Sequence, residues 1–248
     1  MSIFDFFTKT SAKEQTLDLS WLKTDMHSHL IPGIDDGSKS LEESIHLISR
    51  LKSYGINKII TTPHVMTEFY RNNPENIHEG LDKLKIGLQE AGIDIAISAA
   101  AEYFMDEFFL EKVSNGEKLL TMGDQYILIE TGFLSKPPML LESIFNLEMQ
   151  GYKPILAHPE RYFYLHQDTE LLDALIERNI YFQINLLSFT GYYSKPVKKF
   201  AEALVDRELV ALLGTDCHND KYLDALESLP NSKYFQKLQT LPLLNQTL

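Results

Sequence analysis

The sequence predicts an α/β fold in which parallel strands form a closed or nearly closed barrel within a single domain. From residue 23 onward, short β-branched or apolar runs alternate with longer amphipathic segments, the pattern of βαβ units. The runs are nearly unbroken in their apolar character, as expected for parallel strands covered on both faces. Seven such units favour a barrel over an open sheet, and no linker rich in Pro, Gly or Ser interrupts residues 23–230.

The individual elements follow from these patterns. The β-branched or apolar runs predict strands at 24–30, 58–62, 93–100, 126–131, 153–157, 180–186 and 209–214. The amphipathic segments predict helices at 41–54, 74–91, 138–150, 170–178 and 195–206. Gly55 and Gly151 stand where two helices must end, and Asp168 or Thr169 is suited to cap the helix that follows it.

The two ends of the chain differ from the barrel domain, which we assign to residues 23–248. Residues 1–22 form a predicted N-terminal arm that begins with the apolar and aromatic segment 1–7. This segment is short and lacks the basic face of a membrane-surface helix, so we expect it to pack on the domain or on another subunit. Residues 231–248 are suited either to a last helix that covers the barrel base or to an interface.

Composition excludes several classes of protein. Hydrophobic residues make up 44% and charged residues 23% of the 248 residues, an ordinary globular balance. No apolar run reaches the length of a membrane span, and the start does not resemble a secretory signal, so we expect no stable membrane insertion. A net charge of −12 disfavours nucleic acid as a partner. A single cysteine fits a reducing, cytoplasmic location.

Metal-capable side chains follow six of the seven predicted strands. Barrel enzymes place their chemistry at the carboxyl ends of the strands, so we expect these side chains to lie close together. They are His27 and His29 with Asp35 or Asp36, then His64, Glu102, Glu130, His158 and finally Asp216 with His218. The other three histidines, His46, His78 and His166, fall on predicted helices or a polar loop, and we interpret them as solvated.

This ligand chemistry indicates a polynuclear metal site. Imidazoles mixed with carboxylates suit Zn, Mn or Fe, and the number of ligands exceeds what one ion takes, so two or three ions sharing a carboxylate are expected. Cys217 would point away from its neighbours on a strand, which favours core packing. Arg161 is suited to hold a phosphate or to form a salt bridge at the rim. The sequence offers neither a Gly-rich phosphate loop nor a G-x-S-x-G elbow.

The set of motifs resembles a known family. The segments His-Ser-His at 27–29, Asp-Asp-Gly at 35–37, Thr-Pro-His at 62–64, Ala-Glu-Tyr at 101–103, Ile-Glu at 129–130, Ala-His-Pro-Glu-Arg at 157–161 and Asp-Cys-His at 216–218 carry the resemblance. Together they are similar to the polymerase and histidinol phosphatase (PHP) superfamily, and within it to the bacterial protein-tyrosine phosphatases of capsule and exopolysaccharide operons. The resemblance spans residues 24–220.

The resemblance implies a distorted (β/α)7 TIM-like barrel with a trinuclear centre of manganese or other divalent ions, such as iron, zinc, magnesium or cobalt. The implied ligands are His27, His29, Asp36, His64, Glu102, Glu130, His158, Asp216 and His218. Glu102 would bridge two ions, Arg161 would hold the phosphate, and a metal-bound hydroxide would attack phosphotyrosine. The implied substrate is a bacterial tyrosine kinase that controls polysaccharide export.

Three alternatives remain open at this stage. A small-molecule phosphatase of histidinol-phosphate type would use the same metal ligands, because pocket shape alone separates the two activities. An amidohydrolase also begins with His-x-His, although it ends with an Asp alone and uses a central Lys. A non-catalytic metal-binding scaffold would need an intact but idle ligand set. The aromatic segment Phe69-Tyr70-Arg71 is suited either to line the mouth of the site or to form a surface loop packed on itself.

Overall fold

Nine short strands, all in parallel ladders, form two sheets in the computed structural model, which describes residues 16–178 and 180–248. One sheet has the order β1-β2-β4 and the other the order β3-β5-β6-β7-β8-β9. The strands are β1 Thr24–Asp25, β2 Lys58–Thr61, β3 His64–Val65, β4 Ala96–Ala99, β5 Glu102–Phe104, β6 Tyr126–Glu130, β7 Lys153–Ala157, β8 Tyr181–Asn185 and β9 Val210–Gly214. This is a mixed α/β single domain with parallel sheets.

The two sheets share extended segments of the chain. β2 and β3 are separated only by Thr62 and Pro63, because proline has no N–H to donate to the ladder. The chain nevertheless keeps its register: Thr61 pairs with Ala99 before the break and His64 pairs with Glu102 after it. The strand predicted at 93–100 is thus two short strands at 96–99 and 102–104, each in a different sheet.

The first and last strands are also joined by backbone contacts. Ser28 and Cys217 form an isolated parallel bridge, the His29 N–H donates to the Cys217 carbonyl at 2.9 Å, and the Asp216 N–H donates to the His27 carbonyl at 2.8 Å. The strand predicted at 24–30 therefore pairs regularly only over β1 and continues as extended chain. These contacts bring both histidines beside the end of β9.

Six of the helices lie between strands and two follow β9, and most begin at a residue whose side chain caps the first turn. They are α1 Leu41–Ser53, α2 Pro74–Glu90, α3 Glu107–Ser114, α4 Leu140–Met149, α5 Thr169–Glu177, α6 Lys195–Asp206, α7 Asp220–Leu226 and α8 Phe235–Leu238. The Asp168 side chain accepts from the Leu171 N–H at 2.9 Å and so caps α5, one of the two caps that the sequence allowed. Sequence reasoning missed α3 and α7, whose short lengths leave little periodicity to detect. The helix α8 lies within residues 231–248, where a last helix was one of the two alternatives.

An apolar interior lies on the strands, below their polar ends. It is a cluster of buried residues from β2, β6, β7, β9 and neighbouring extended segments, namely Met26, Ile60, Ala100, Met122, Leu128, Ile155, Ala157 and Leu212. Leu244 and Leu248 of the terminal segment pack against it. Asn245, also buried, donates to the Thr24 carbonyl at 2.9 Å and exchanges two bonds with the backbone of Leu213. The predicted covering role of residues 231–248 is therefore met by this short terminal segment.

The predicted N-terminal arm lies mostly outside the described residues. Its last part is described, and Leu17, Leu19 and Leu22 there are buried in the larger core cluster between helices and strands. The Leu19 N–H donates to the Tyr54 carbonyl at 2.6 Å. Across the described residues, no helix combines the length and the apolar character that crossing a membrane requires.

Candidate metal centre

The carboxyl ends of the strands bring all nine predicted ligands together. Four overlapping groups form, and within each group the candidate ligand atoms lie within 4.8 Å of one another. The groups are His29, Asp36, His64 and His218; His27, His29 and Asp216; His27, Glu102 and His158; and His64, Glu102 and Glu130. Because four residues belong to two groups each, the site is one continuous cluster.

His27 and His29 lie side by side because the chain between them is extended. Their Nε2 atoms are 3.4 Å apart, and each lies 3.4 Å from Asp216 Oδ1. Both rings are fully buried. Asp25, two residues before His27, accepts from the Thr215 N–H and hydroxyl at 2.9 and 2.6 Å.

Glu102 occupies the centre of the cluster. Its Oε2 lies 3.3 Å from His27 Nε2, 3.4 Å from His29 Nε2 and 3.1 Å from His64 Nδ1. Its other oxygen lies 3.0 Å from His158 Nε2. A carboxylate with histidines on both oxygens has the placement that is expected of a ligand shared between ions.

Asp36, rather than Asp35, faces the cluster. Asp36 Oδ1 lies 3.4 Å from His64 Nε2 and 3.6 Å from His218 Nε2, and half of its side chain is exposed. Asp35 Oδ2 lies 2.8 Å from His29 Nδ1 and accepts from the His64 N–H at 3.1 Å, so it supports two histidines from behind. Gly37 permits this turn because an added Cβ would collide with the backbone and Cβ of His29.

The electrostatics of the cluster are those of carboxylates surrounded by cations. Burial disfavours the ionised form, but His27 and His64 hold the pKa of Glu102 well below its usual range. His27 and His218 do the same to the pKa of Asp216 against its burial. A hydrogen bond with His218 lowers the pKa of Asp36 to about 2. The carboxylates therefore stay ionised and require positive charge beside them.

The imidazoles show the opposite shift. Burial and the nearby His29 oppose protonation of His64, yet Glu102 and Glu130 raise its pKa to about 10. Carboxylates likewise raise the pKa of His27 and of His29 against their burial. The negative charge of the neighbouring carboxylates can be compensated either by protons on these imidazoles or by divalent cations bound between the side chains.

Several buried polar atoms in the cluster lack a hydrogen-bond partner among the described residues. They include His64 Nδ1, Glu102 Oε2 and Glu130 Oε1, and the nitrogen lies 3.1 Å from the Glu102 oxygen and 2.9 Å from the Glu130 oxygen. Burying such atoms without partners is costly, and metal ligation is one arrangement that satisfies them. The donor set, imidazole nitrogens with carboxylate oxygens, fits Mn, Fe or Zn. The residues present therefore fit a polynuclear centre.

Backbone strain marks two of the candidate ligands. His158 has φ 32° and Asp216 has φ 52°, left-handed values that non-glycine residues seldom adopt. Each ends a strand, where the turn aims its side chain into the cluster. Strain of this kind is retained when the surrounding structure enforces it, commonly at functional sites.

Arg161 forms an ion pair inside the site. Its Nη1 donates to Asp216 Oδ2 at 3.1 Å, and its guanidinium lies 4.4 Å from the ring centroids of both Phe133 and Tyr193. Only 20% of the side chain is exposed. It therefore combines the salt bridge and the position within reach of a ligand that the sequence left as alternatives.

A cavity of about 330 Å³ opens above the cluster. Arg161 lines it together with Asp36, His64, Glu130, His158, Asp216 and His218, and aromatic side chains form its outer wall. Phe69 and Tyr70 belong to that wall, and Tyr70 stacks on His64 at 5.5 Å between ring centroids. The aromatic segment thus lines the mouth of the site, and Phe69 is 71% exposed there.

The remaining histidines and the cysteine lie away from the cluster. His46 is exposed and pairs with Asp220, and the exposed His78 contacts the Pro74 carbonyl. The prediction that His166 is solvated is wrong: it is half-buried, lies 2.8 Å from the Glu160 carbonyl and packs on Phe200, because the loop folds back on the domain. Cys217 is buried in the core cluster.

Sequence reasoning missed the polar residues that support the ligands. Gln183 and Asn185 on β8 contact His27 and Asp216, at 2.8 and 2.7 Å. Tyr193 and Tyr222 stand over Arg161 and His218. The sequence signal that could have found them is the spacing of Gln183 and Asn185, two residues apart at the end of β8. This spacing places both side chains on one face of the strand, the face that contacts His27 and Asp216.

Fold and site together define a class of protein, a parallel α/β domain with a cluster of metal-capable histidines and carboxylates at the carboxyl ends of its strands. The chain matches the family described as "Capsular polysaccharide synthesis, CpsB/CapC" over residues 23–224, and it belongs to that family. This confirms the resemblance drawn from the motifs.

Individual relatives agree with the family match. Tyrosine-protein phosphatase YwqE of Bacillus subtilis is 33% identical over 201 residues, covering 79% of this chain and 78% of the relative. A crystal structure from work on YwqE and CpsB of Streptococcus pneumoniae, described as metal-dependent tyrosine phosphatases, superposes with TM-score 0.77 and 28% identity, covering 87% and 89%. The zinc-containing histidinol phosphate phosphatase of Lactococcus lactis shares the fold, with TM-score 0.56, 15% identity and coverage of 89% and 95%.

Proposed function

We propose that this chain is a metal-dependent phosphotyrosine-protein phosphatase. The observation that carries the proposal is the buried cluster of nine ligands beside an arginine, in a chain whose relatives are tyrosine-protein phosphatases. We infer that the seven strand regions of residues 23–248 form a distorted (β/α)7 barrel, which the contacts between Ser28 and Cys217 support. A cytoplasmic location stays a prediction from the single cysteine.

The ligands we propose are His27, His29, Asp36, His64, Glu102, Glu130, His158, Asp216 and His218, which would hold two or three divalent ions with Glu102 as a bridge. Manganese is our first choice of metal. When bound, such ions lower the pKa of a coordinated water toward about 7 and neutralise charge on phosphate oxygens. We assign to the protein the task of orienting the ester against that centre.

Arg161 is the residue we propose to bind the phosphate. Its planar fork suits two phosphate oxygens, and the rings of Phe133 and Tyr193 on either side restrict its motion. The pair with Asp216 uses one nitrogen, which leaves further N–H groups to donate. Asp216 and His218 lie next to that position and complete the set of residues that we expect to act on the reacting group.

The mouth of the cavity favours an aromatic ester. Phe69, Tyr70 and Phe133 line it, and rings of this kind bind a phenyl group through offset or edge contacts. Phe69 stands largely exposed, so it is available to a phosphotyrosine presented by a protein surface. We propose that a bacterial tyrosine kinase of polysaccharide export supplies that phosphotyrosine; the family description, capsular polysaccharide synthesis, supports the link to polysaccharide.

The test compares four substrates on one preparation: a phosphotyrosyl peptide, p-nitrophenyl phosphate, histidinol phosphate and an amide. We expect hydrolysis of the two aryl phosphates, loss of activity with EDTA and recovery with Mn²⁺. Histidinol phosphatase is the alternative, because the shared fold and ligand chemistry serve it equally. A strong preference for histidinol phosphate over the peptide would reject the first proposal in favour of the second.

A further inference from the structure

Among the seven strand regions of the described residues, the one that contains β8 contributes no residue to the four ligand groups, yet it carries two buried amides. Gln183 and Asn185 are fully buried and, being two residues apart on a strand, point to the same side. His27 Nδ1 lies 2.8 Å from Gln183 Oε1, Gln183 Nε2 donates to Asn185 Oδ1 at 2.9 Å, and Asn185 Nδ2 donates to Asp216 Oδ2 at 2.7 Å. These four side chains form a continuous chain of hydrogen bonds.

The direction of every bond follows from the carboxylate at one end. An ionised carboxylate only accepts, so Asn185 must present its NH2 group to Asp216 and its carbonyl oxygen to Gln183. Gln183 must then donate to that oxygen and turn its own carbonyl oxygen toward His27. His27 in turn must carry its proton on Nδ1, which leaves the lone pair of Nε2 facing Glu102 and Asp216 Oδ1 at 3.3 and 3.4 Å.

We propose that Gln183 and Asn185 are positioning residues, a two-amide relay through which the carboxylate of Asp216 fixes His27 in the tautomer that offers Nε2 to a divalent ion. The proposal rests on the metal centre proposed above. His29 obtains the same result directly, since Asp35 Oδ2 lies 2.8 Å from its Nδ1. The relay gives His27 a carboxylate partner that is itself a candidate ligand, so two ligands are oriented together.

The surrounding fold makes room for the relay. A Cβ on Gly214 of β9 would lie 2.6 Å from His27 Cβ and 3.0 Å from Gln183 Nε2, so glycine there lets the two side chains meet. The pairing of β8 with β9 shifts register between Phe182 and Gln183, and such irregularities commonly re-aim side chains beside active sites. Gln183 Oε1 also accepts from the His158 N–H at 3.3 Å, which ties a third candidate ligand to the relay.

The experiment removes the middle of the relay without touching either ligand. Asn185→Leu keeps the approximate volume of the side chain but breaks both of its bonds within the relay, together with its bond to the Tyr193 hydroxyl. Its matched control is Tyr193→Phe, which removes a hydroxyl that lies 3.3 Å from the same Asp216 oxygen and accepts from Asn185 Nδ2 at 3.2 Å, but leaves the three bonds of the relay in place. Affinity for Mn²⁺ and Zn²⁺ is measured by competition with a chromogenic chelator. We expect Asn185→Leu to weaken one ion by about 10- to 100-fold, the usual loss when a residue behind a ligand is removed, and Tyr193→Phe to leave that affinity near wild type.

A double-mutant cycle separates the relay from a merely structural role. Gln183→Met breaks the same chain of hydrogen bonds at the residue next to His27. If the two amides act as one relay, the double variant Gln183→Met, Asn185→Leu should bind the ion as tightly as the weaker of the two single variants. In the Co²⁺-loaded protein, the ion shifts the His27 ring N–H resonance away from the other signals. That proton should exchange faster with solvent in Asn185→Leu and at the wild-type rate in Tyr193→Phe.

The possible outcomes distinguish a failure of folding, a failure of the relay and a failure of the metal centre. Thermal unfolding in EDTA identifies a variant that fails to fold, in which case the Gln183→Met protein supplies the measurement. Wild-type affinity in a folded Asn185→Leu protein, additive losses in the cycle, or an equal loss in Tyr193→Phe would each overturn the relay and leave the metal centre standing. A wild-type protein that binds no divalent ion would overturn the metal centre itself.

Discussion

The two ends of the strands bury polar side chains in opposite ways. At the amino ends, Asn245 satisfies its amide fully, with three bonds of 2.7–3.0 Å to the backbone of Thr24 and Leu213. At the carboxyl ends, Glu102 and Glu130 each keep a buried oxygen without a hydrogen-bond partner among the described residues. A satisfied buried polar group adds to stability, whereas an unsatisfied one costs free energy that folding alone does not recover.

This difference indicates that the carboxyl ends of the strands serve metal binding and activity, whereas the amino ends serve stability. Unpartnered carboxylates and the left-handed residues His158 and Asp216 gather at the carboxyl ends, where the fold tolerates them because the rest of the domain holds them in place. The amino ends carry the terminal segment and the apolar interior beneath the site. The comparison predicts that changes at one end alter activity and metal binding, while changes at the other alter stability.

The strongest test at the carboxyl end removes a ligand. His27→Ala or His29→Ala should lose one bound ion and lower kcat/KM by more than about a hundredfold, since even residues behind a ligand are worth about 10- to 100-fold in activity. The midpoint of thermal unfolding in EDTA should stay close to wild type. Metal analysis and hydrolysis of a phosphotyrosyl peptide measure the two effects. A variant with wild-type metal content and turnover would contradict the assignment of the site.

Arg161→Lys separates binding of the phosphate from binding of the metal at the carboxyl ends of the strands. Lysine keeps the charge but loses the planar fork and its packing between Phe133 and Tyr193. We expect kcat/KM for the peptide to fall by about a hundredfold, a typical loss for one preorganised donor, with metal content unchanged. Arg207→Lys, at an exposed arginine that pairs with Asp173, is the matched control. Loss of bound metal in Arg161→Lys would instead make it a support for Asp216.

Asn245→Ala tests the amino end. It leaves the Leu213 backbone groups and the Thr24 carbonyl without their partners, which should lower the free energy of unfolding by roughly 2–4 kcal/mol. Urea unfolding followed by circular dichroism measures this loss, and kcat/KM of the folded enzyme should not change. Gln246→Ala, at the exposed neighbouring residue, should leave both quantities unchanged. A loss of activity without a loss of stability would show that the two ends are not independent.

The sequence was sufficient to find most of the candidate ligands, because they follow apolar runs that end at one edge of the fold. Parallel strands ending at one edge then bring His64, Glu102 and His158 together without further information. The same reasoning located the strand regions but not their breaks. Pro63 interrupts the ladder between β2 and β3, and the neighbouring chain divides at Ala100 and Ala101 in response, which depends on pairing between distant segments.

The supporting residues were beyond reach for a different reason. Gln183 and Asn185 are neutral amides on a strand, and their role arises only when β8 lies between His27 and Asp216. Asp35 and Asp36 are adjacent in a loop without periodicity, so only the turn at Gly37 decides that Asp36 faces the cluster. The sequence also could not decide between the two roles predicted for Arg161. In the structure it both forms an ion pair with Asp216 and lines the cavity.

Substitution of Cys217 should change activity least. The residue lies between Asp216 and His218 at the carboxyl end of β9, but its side chain is buried in the apolar core. Burial raises the pKa of its thiol well above the usual range, so the thiolate that a cysteine-based phosphatase needs is disfavoured. Its backbone carbonyl, not its sulfur, holds His29 in place. Cys217→Ala should therefore retain nearly all hydrolysis of the phosphotyrosyl peptide and lose about 1 kcal/mol of stability, the cost of a small cavity. Activity that survives EDTA but disappears in Cys217→Ala would replace the metal centre with a thiol nucleophile.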